Sequence, residues 1–324
     1  MPPQATLLSV IIPMYQEEEV AVPCYDRMSS VLTGLGMRFE IIYINDGSSD
    51  RTPEILADIA ARDERVKVIN FSRNFGHQIA ISAGLDFARG DVVVIIDADL
   101  QDPPELIGDM LQYWRQNYHV VYARRRARKG ETWLKLVSAK YFYRLLSVLT
   151  DVTIPVDVGD YRLLDRKVVT VLKNMPEKHR FVRGMVSWVG FRQIAVDYVR
   201  DKRYAGETKY GLQKTLKFAL DGIFSFSSKP LKLIGILGLF TMMAALAVFL
   251  LALISWVRSR GQLVPGWATL MAAVIFLGGV QLVALGILGE YMARIYDESK
   301  NRPLYIINST RNIDSQTGDR EGSN

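Results

Sequence analysis

Two uncharged stretches toward the C-terminal end constrain this chain more than any other feature. Residues 233–257 run for 25 positions without a charge, and residues 267–289 run for 23 with Gln281 as the one strongly polar side chain. As helices rising 1.5 Å per residue they would extend roughly 37 and 34 Å, enough to cross a hydrocarbon core of about 30 Å. Buried core helices are shorter, about 10–14 apolar residues, so a transmembrane hairpin is predicted. The nine residues of 258–266 join the runs and leave both outer ends on one side. Lys214, Lys217, Lys229 and Lys232 precede the first run and Arg294, Lys300 and Arg302 follow the second, against Arg258 and Arg260 in the connection. The positive-inside bias therefore predicts both ends in the cytoplasm. Residues 1–20 hold three consecutive glutamates and no basic start, so no secretory signal is expected. The single cysteine, Cys24, excludes an intrachain disulfide and a cysteine zinc cluster.

The remaining length of the 324-residue chain suits one catalytic domain of about 200 residues. In its first 123 residues short apolar runs alternate with helical patterns, as in a parallel sheet with crossover helices. Strands are expected at 7–12, 39–44, 66–70, 92–96 and 120–123, and a half-buried one over 192–199. The helix after the second strand is expected to start with Thr52 as its cap, Pro53 in the first turn and Glu54 at the positive end. Residues 133–146 and 212–226 mix apolar and basic positions at helical spacing; either packs on its own domain or lies in the headgroup plane. The last 15 residues are polar and expected to be disordered.

Charge divides the chain. Residues 1–123 carry 9 Lys+Arg against 18 Asp+Glu, and residues 124–324 carry 31 against 16. An acidic part can hold a cation, and a basic part can hold phosphates and anionic lipid. Nucleic acid is disfavoured as a partner, because the basic residues flank membrane spans and no nucleic-acid module is recognisable.

Ligands of open α/β sheets gather at the carboxyl ends of the strands. Polar clusters fall there four times: Pro13 to Glu18, Asn45 to Asp50, Ser72 to His77, and Asp97 to Asp102. Asp97-Ala98-Asp99 ends an apolar strand, and two carboxylates are what a hard divalent ion needs when diphosphate oxygens complete its shell. Gln101 could add a carbonyl or a water contact, while Asp102, Pro103 and Pro104 read as the start of the next helix. His77 and His179 have no neighbours in sequence that suggest catalysis and are expected in packing or helix-end roles.

The combination of VIIPMYQEEE, YINDGSSDRT, FSRNFGHQIAISAGLDFARGD and VVIIDADLQDPPE resembles the family 2 glycosyltransferases. More narrowly, the chain resembles polyprenyl-phosphate glycosyltransferases, namely the bactoprenol glucosyltransferases and relatives of dolichyl-phosphate mannose synthase, over residues 6–300. The resemblance implies an α/β GT-A domain with a Rossmann-like mixed sheet over 1–211. A juxtamembrane amphipathic helix (212–232), a transmembrane hairpin (233–292) and a cytoplasmic tail (293–324) would follow it. It implies transfer of a hexose from a UDP-sugar, UDP-glucose above all, onto polyprenyl phosphate, at a bacterial inner membrane, by an enzyme that forms homotetramers. Aminoarabinose, mannose, galactose and N-acetylated sugars stay open as alternatives.

Site residues follow from the same resemblance. Pro13, Tyr15, Glu17 and Asp46 would hold the base and ribose, with Arg73 and Asp97 near the ribose and phosphates. Asp97, Asp99 and Gln101 would bind Mg2+ or Mn2+. Arg124, Lys135 and Ser138 would take the acceptor phosphate, although lysine lacks the bidentate fork of arginine. Arg203 and Lys209, within RYAGETKYG, match a segment that closes over the donor diphosphate. Asp157, in PVDVGDYRLLDR, falls where the family places a candidate base; it either takes a residual proton or orients the acceptor. A phosphate monoester with a second pKa of about 6 is already mostly a dianion at neutral pH. Asp160 and Arg162 could equally form a structural ion pair, and Ser48, Ser49 and Asp50 read as turn and helix-entry residues.

Rival readings lose ground on absent motifs. A processive polysaccharide synthase would resemble its relatives in Q-x-x-R-W and in further membrane helices, and a dinucleotide dehydrogenase would carry G-x-G-x-x-G after the first strand. A non-catalytic membrane scaffold that kept the nucleotide-binding domain has no motif to argue for it, while the Asp97, Asp99 and Arg203 positions argue against it.

Overall fold

The computed structural model describes residues 7–125, 158–199, 227–258 and 266–313. Eight strands form one sheet: β1 (Leu8–Met14), β2 (Phe39–Asn45), β3 (Val66–Phe71), β4 (Val92–Ile95), β5 (Val120–Arg125), β6 (Val158–Asp165), β7 (Gln193–Tyr198) and β8 (Ile307–Arg311). Their order is β7-β5-β6-β4-β1-β2-β3-β8. β1 to β4 run parallel, β6 lies antiparallel between β4 and β5, and β8 pairs antiparallel with β3. The five early strands and the one at 192–199 stand within two residues of expectation.

Both sheet faces are covered, so the central strands are mostly apolar rather than alternating, with Ser9, Glu40 and Asn45 as buried polar exceptions. One face packs α1 (Ala21–Gly34), α2 (Thr52–Arg62) and α4 (Leu106–Arg115) against Val10, Ile12, Ile41 and Tyr43. The other packs α3 (His77–Phe87), α5 (Arg166–Asn174) and α6 (Val182–Trp188) against Ile11, Ile42, Ile44 and Ile95.

Three expectations are corrected here. Thr52 is the first residue of α2 rather than its cap: its backbone N–H donates to Asp50 Oδ1 at 3.1 Å, and its hydroxyl accepts from the Glu17 N–H at 3.0 Å. Asp50 does the capping and Thr52 ties two loops together. Asp102 does not open α4, whose N-terminal flank is Glu105; it is fully buried and accepts a hydrogen bond from the Tyr198 hydroxyl. Of the last 15 residues, expected to be disordered, 310 and 311 lie in β8, because the β3 edge supplies backbone partners that require no apolar side chains. Asn312 anchors its end by donating to the carbonyls of Ala60 at 2.7 Å and Val66 at 2.8 Å.

The apolar runs form α7 (Lys229–Arg258) and α8 (Trp267–Ser299). Each contains a window apolar enough to cross a membrane, with mean hydropathy 2.5 and 1.9, and neither window is buried by protein. Exposed side chains such as Phe240, Phe249, Ile275 and Leu282 make a surface that water does not sustain. The last turn of α8 reaches the catalytic domain, where the Lys178 N–H donates to Glu298 Oε1 at 2.6 Å. His179 lies 3.4 Å from Asp297, at the helix end.

Candidate active site

The carboxyl ends of β1 to β4 share one sheet edge because these strands are parallel, so the four polar clusters converge. The loops interlock. The Gln16 N–H donates to Ser48 Oγ at 2.9 Å, Gln16 Nε2 to Ser49 Oγ at 3.2 Å, and the Glu18 N–H to Asp50 Oδ2 at 3.3 Å. Those contacts give Ser48, Ser49 and Asp50 the structural role expected of them. Pro13 is buried at the end of β1, and Tyr15, at 38% exposure, opens to solvent.

Asp46 is buried, and its carboxylate accepts from the N–H groups of Phe75 at 2.7 Å and Gly76 at 2.9 Å. Burial raises its pKa against those two bonds and the nearby His77 and Arg73 charges. Asp46 thereby holds the loop that carries Arg73. Gly47 completes the clamp, since at φ +66° a Cβ there would lie 2.3 Å from the Arg73 carbonyl carbon. Gly47→Ala is expected to cost about 2 kcal/mol or more, read as a lowered denaturation midpoint. An unchanged midpoint would show that the loop gives way freely.

The β4 edge is the chemical centre. Asp99 is 7% exposed and its Oδ1 accepts from the Gln101 N–H at 3.1 Å, across a turn in which Leu100 has φ +57°. Asp97 Oδ1 is buried with no hydrogen-bond partner among the described residues. Burial, then the carboxylates of Asp160, Asp102 and Asp99, raise the Asp97 pKa against the lowering effect of His77. The imidazole of His77 lies 3.5 Å from that oxygen without a hydrogen bond to it, and the clustered carboxylates still fit a divalent cation beside it. Among the described residues no three His, Cys, Asp or Glu side chains are arranged to hold an ion by themselves. The fit is therefore to an ion whose shell is completed by ligand oxygens.

The antiparallel register of β6 on β4, with Arg162 opposite Ile95, brings Asp160 beside Asp97. His77, the first residue of α3 and so at a helix end as expected, lies 3.2 Å from Asp160 and 3.5 Å from Asp97. Burial alone would lower the imidazole's pKa; the Asp160 hydrogen bond and the two carboxylate charges outweigh it and raise it to about 9. The two carboxylates thus favour the protonated imidazole. Arg183, from α6, grips Asp160 through Nε at 2.7 Å and Nη2 at 3.0 Å. Burial would raise the Asp160 pKa, but Arg183 and His77 hold it well below the usual carboxylate range. Arg162 stands 3.9 Å from Asp160 and donates to the carbonyl of Gly159 at 2.8 Å, so Arg183 is the stronger partner.

Arg124 donates to both oxygens of Asp197, at 2.6 and 3.1 Å, the residue opposite it on β7. Asp157, Lys135, Ser138, Arg203 and Lys209 lie outside the described residues, as do the two basic amphipathic segments.

Comparison with known proteins decides the family. The model described as "Glycosyl transferase family 2" matches residues 9–172. The chain belongs to glycosyl transferase family 2. It is accordingly a glycosyltransferase, and its mixed sheet is the GT-A type expected from the resemblance. The family 2 domain is followed by a match to the "GtrB C-terminal hairpin" over residues 229–295, which covers α7 and most of α8. Its family 2 relatives include the uncharacterized glycosyltransferase YkcC of Bacillus subtilis, 49% identical over 95% of each chain. The bactoprenol glucosyl transferase of Shigella phage SfV is 40% identical over 94% of this chain and 99% of that one. A crystal structure of glucosyl-3-phosphoglycerate synthase from Mycobacterium tuberculosis, in complex with Mn2+, UDP and glucosyl-3-phosphoglycerate, aligns at TM-score 0.45 and 19% identity, over 68% of this chain and 78% of that one.

Proposed function

We propose that this enzyme transfers glucose from UDP-glucose to a polyprenyl phosphate such as bactoprenyl phosphate, with inversion at the anomeric carbon. The observation that carries the reading is the Asp97 and Asp99 pair, with Asp97 Oδ1 lacking a hydrogen-bond partner among the described residues, at the edge where four polar loops converge; two long apolar helices in the same chain support the lipid acceptor. The names of its bactoprenol glucosyl transferase relatives support the acceptor and the sugar.

Asp97 and Asp99, with Gln101, would hold Mg2+ or Mn2+, which when bound offsets charge on the departing nucleoside diphosphate. Pro13, Tyr15, Glu17 and Asp46 shape the base and ribose side, and Arg73 stands toward the phosphates. Arg203 and Lys209 close over the diphosphate and exclude water, which would otherwise capture the sugar. Arg124, Lys135 and Ser138 receive the acceptor phosphate; at Arg124 that phosphate exchanges with or shares the Asp197 pairing. The acceptor oxygen is already anionic, so Asp157 orients it or removes a residual proton. Holding two anions in line contributes mainly proximity. Both outer ends of the hairpin lie in the cytoplasm, at a bacterial inner membrane, and the protein works as a homo-oligomer.

Purified full-length protein in detergent, given polyprenyl phosphate and radiolabelled UDP-glucose in parallel with other sugar nucleotides, is expected to label the lipid from UDP-glucose. Labelling from a different nucleotide would correct the sugar. Absence of lipid labelling from every donor would overturn the reading in favour of a binding scaffold.

A further inference from the structure

The loop that carries Arg73 is held from two sides. Asp46 and Gly47 hold one side. The other is held by chain that follows the membrane hairpin. The Ser72 N–H donates to the Ile306 carbonyl at 3.0 Å, and the Tyr305 ring stacks on Phe71 at 5.2 Å with 17° between planes. Phe71 meets Phe75 edge-on at 5.6 Å, and the Arg73 guanidinium sits 4.1 Å over the Phe75 ring. The Tyr305 hydroxyl donates to Asp86 Oδ2 at 2.9 Å, which fixes the ring against α3. Three aromatic rings and one guanidinium thus form a continuous run of contacts, one stacked, one edge-on and one cation–π, from the post-hairpin segment to Arg73.

We propose that Tyr305 is a positioning residue for the nucleotide donor, setting the Arg73 guanidinium through the edge-on Phe71–Phe75 pair. The inference rests on the nucleotide-sugar reading above. Nothing about Tyr305 itself touches donor; it acts by removing alternative placements of the Phe75 ring, and so of the cation lying on it. Ordering a binding group before the ligand arrives lowers the cost of binding, so the effect falls on donor affinity and leaves the acceptor side alone. The ring, not the hydroxyl, makes the stack.

The test uses the full-length protein, with UDP plus Mn2+ as the binding probe and steady-state transfer alongside. Tyr305→Ala is expected to raise the UDP Kd and the UDP-glucose KM by about five- to tenfold, the scale of one lost aromatic pair. kcat at saturating donor and KM for polyprenyl phosphate should stay within about twofold of the parent. Tyr305→Phe restores donor affinity, and adding Tyr305→Ala to Arg73→Ala weakens UDP no further than Arg73→Ala alone, because coupled residues are not additive. Phe75→Leu, which leaves Tyr305 and β8 untouched, gives the same donor-selective rise and serves if Tyr305→Ala fails to fold. An unchanged UDP Kd in Phe75→Leu or Tyr305→Ala, a fall in kcat with unchanged donor KM, or additive losses with Arg73→Ala would each overturn the inference. Failure of the parent protein to bind UDP with Mn2+ would instead bring down the functional reading on which it stands.

Discussion

Asp99→Asn is expected to cut sugar transfer by about 10^2- to 10^3-fold, the scale of one lost electrostatic group at a reacting centre, with little change in thermal stability. The asparagine choice follows from the turn. Asp99 Oδ1 accepts from the Gln101 N–H while Leu100 holds a left-handed backbone angle, so the side chain has a structural duty besides its charge. An amide oxygen can keep that bond, and asparagine suits such turns, but it brings no negative charge to a cation. Asp99→Ala loses both and should cost a further ~1 kcal/mol of stability. Initial rates with radiolabelled donor, set beside melting curves, separate the two duties. Near-parental turnover in Asp99→Asn, or full activity after chelation, would remove the metal assignment.

The largest effect on stability is expected at Asp160. Its side chain is 5% exposed, gripped by Arg183, hydrogen-bonded to His77 at 3.2 Å and Gln78 at 3.3 Å, and close to Arg162, which is 3% exposed. Asp160→Ala leaves Arg183 and Arg162 without the carboxylate they share, and His77 with Asp97 alone, at 3.5 Å. Breaking a buried pair from one side costs about 3–5 kcal/mol, which should appear as a lower midpoint in chemical denaturation followed by tryptophan fluorescence. Arg183→Ala should cost less, because Arg183 is 28% exposed and Asp160 keeps His77, Gln78 and Arg162. If both variants unfold like the parent, the cluster is not a structural centre.

Much of this architecture was readable before any coordinates. Strands buried on both faces are mostly apolar, so the runs in β1 to β5 are recognisable despite Glu40, Lys67 and the two arginines that end β5, and an apolar run followed by Asp-Ala-Asp marks the edge where ligands gather. The hairpin is legible for the same reason: its 25- and 23-residue apolar runs exceed what a soluble core helix needs. What escaped notice is polar or distant. β6 carries Asp160 and Arg162 where a strand pattern calls for apolar residues, and both are buried because Arg183 and neighbouring backbone groups satisfy them. β8 reads INSTR and has no apolar period, because an edge strand can be held by backbone bonds alone. His77 and Asp160 stand 83 positions apart, and only the antiparallel return of β6 beside β4 makes them neighbours. The clue available for Asp160 was its DxGDxRLL setting; for Arg183 there was none.

β8 has a consequence for how the protein is made. The ribosome delivers β1 to β7 first, then α7 and α8, and the strand that covers the β3 edge comes last. Until those final residues emerge, β3 offers a row of unpaired backbone groups to any passing strand, and the Tyr305 contact with Phe71 does not exist. Until then the loop that carries Arg73 has only its Asp46 and Gly47 support, and the second one arrives after both apolar helices have been made.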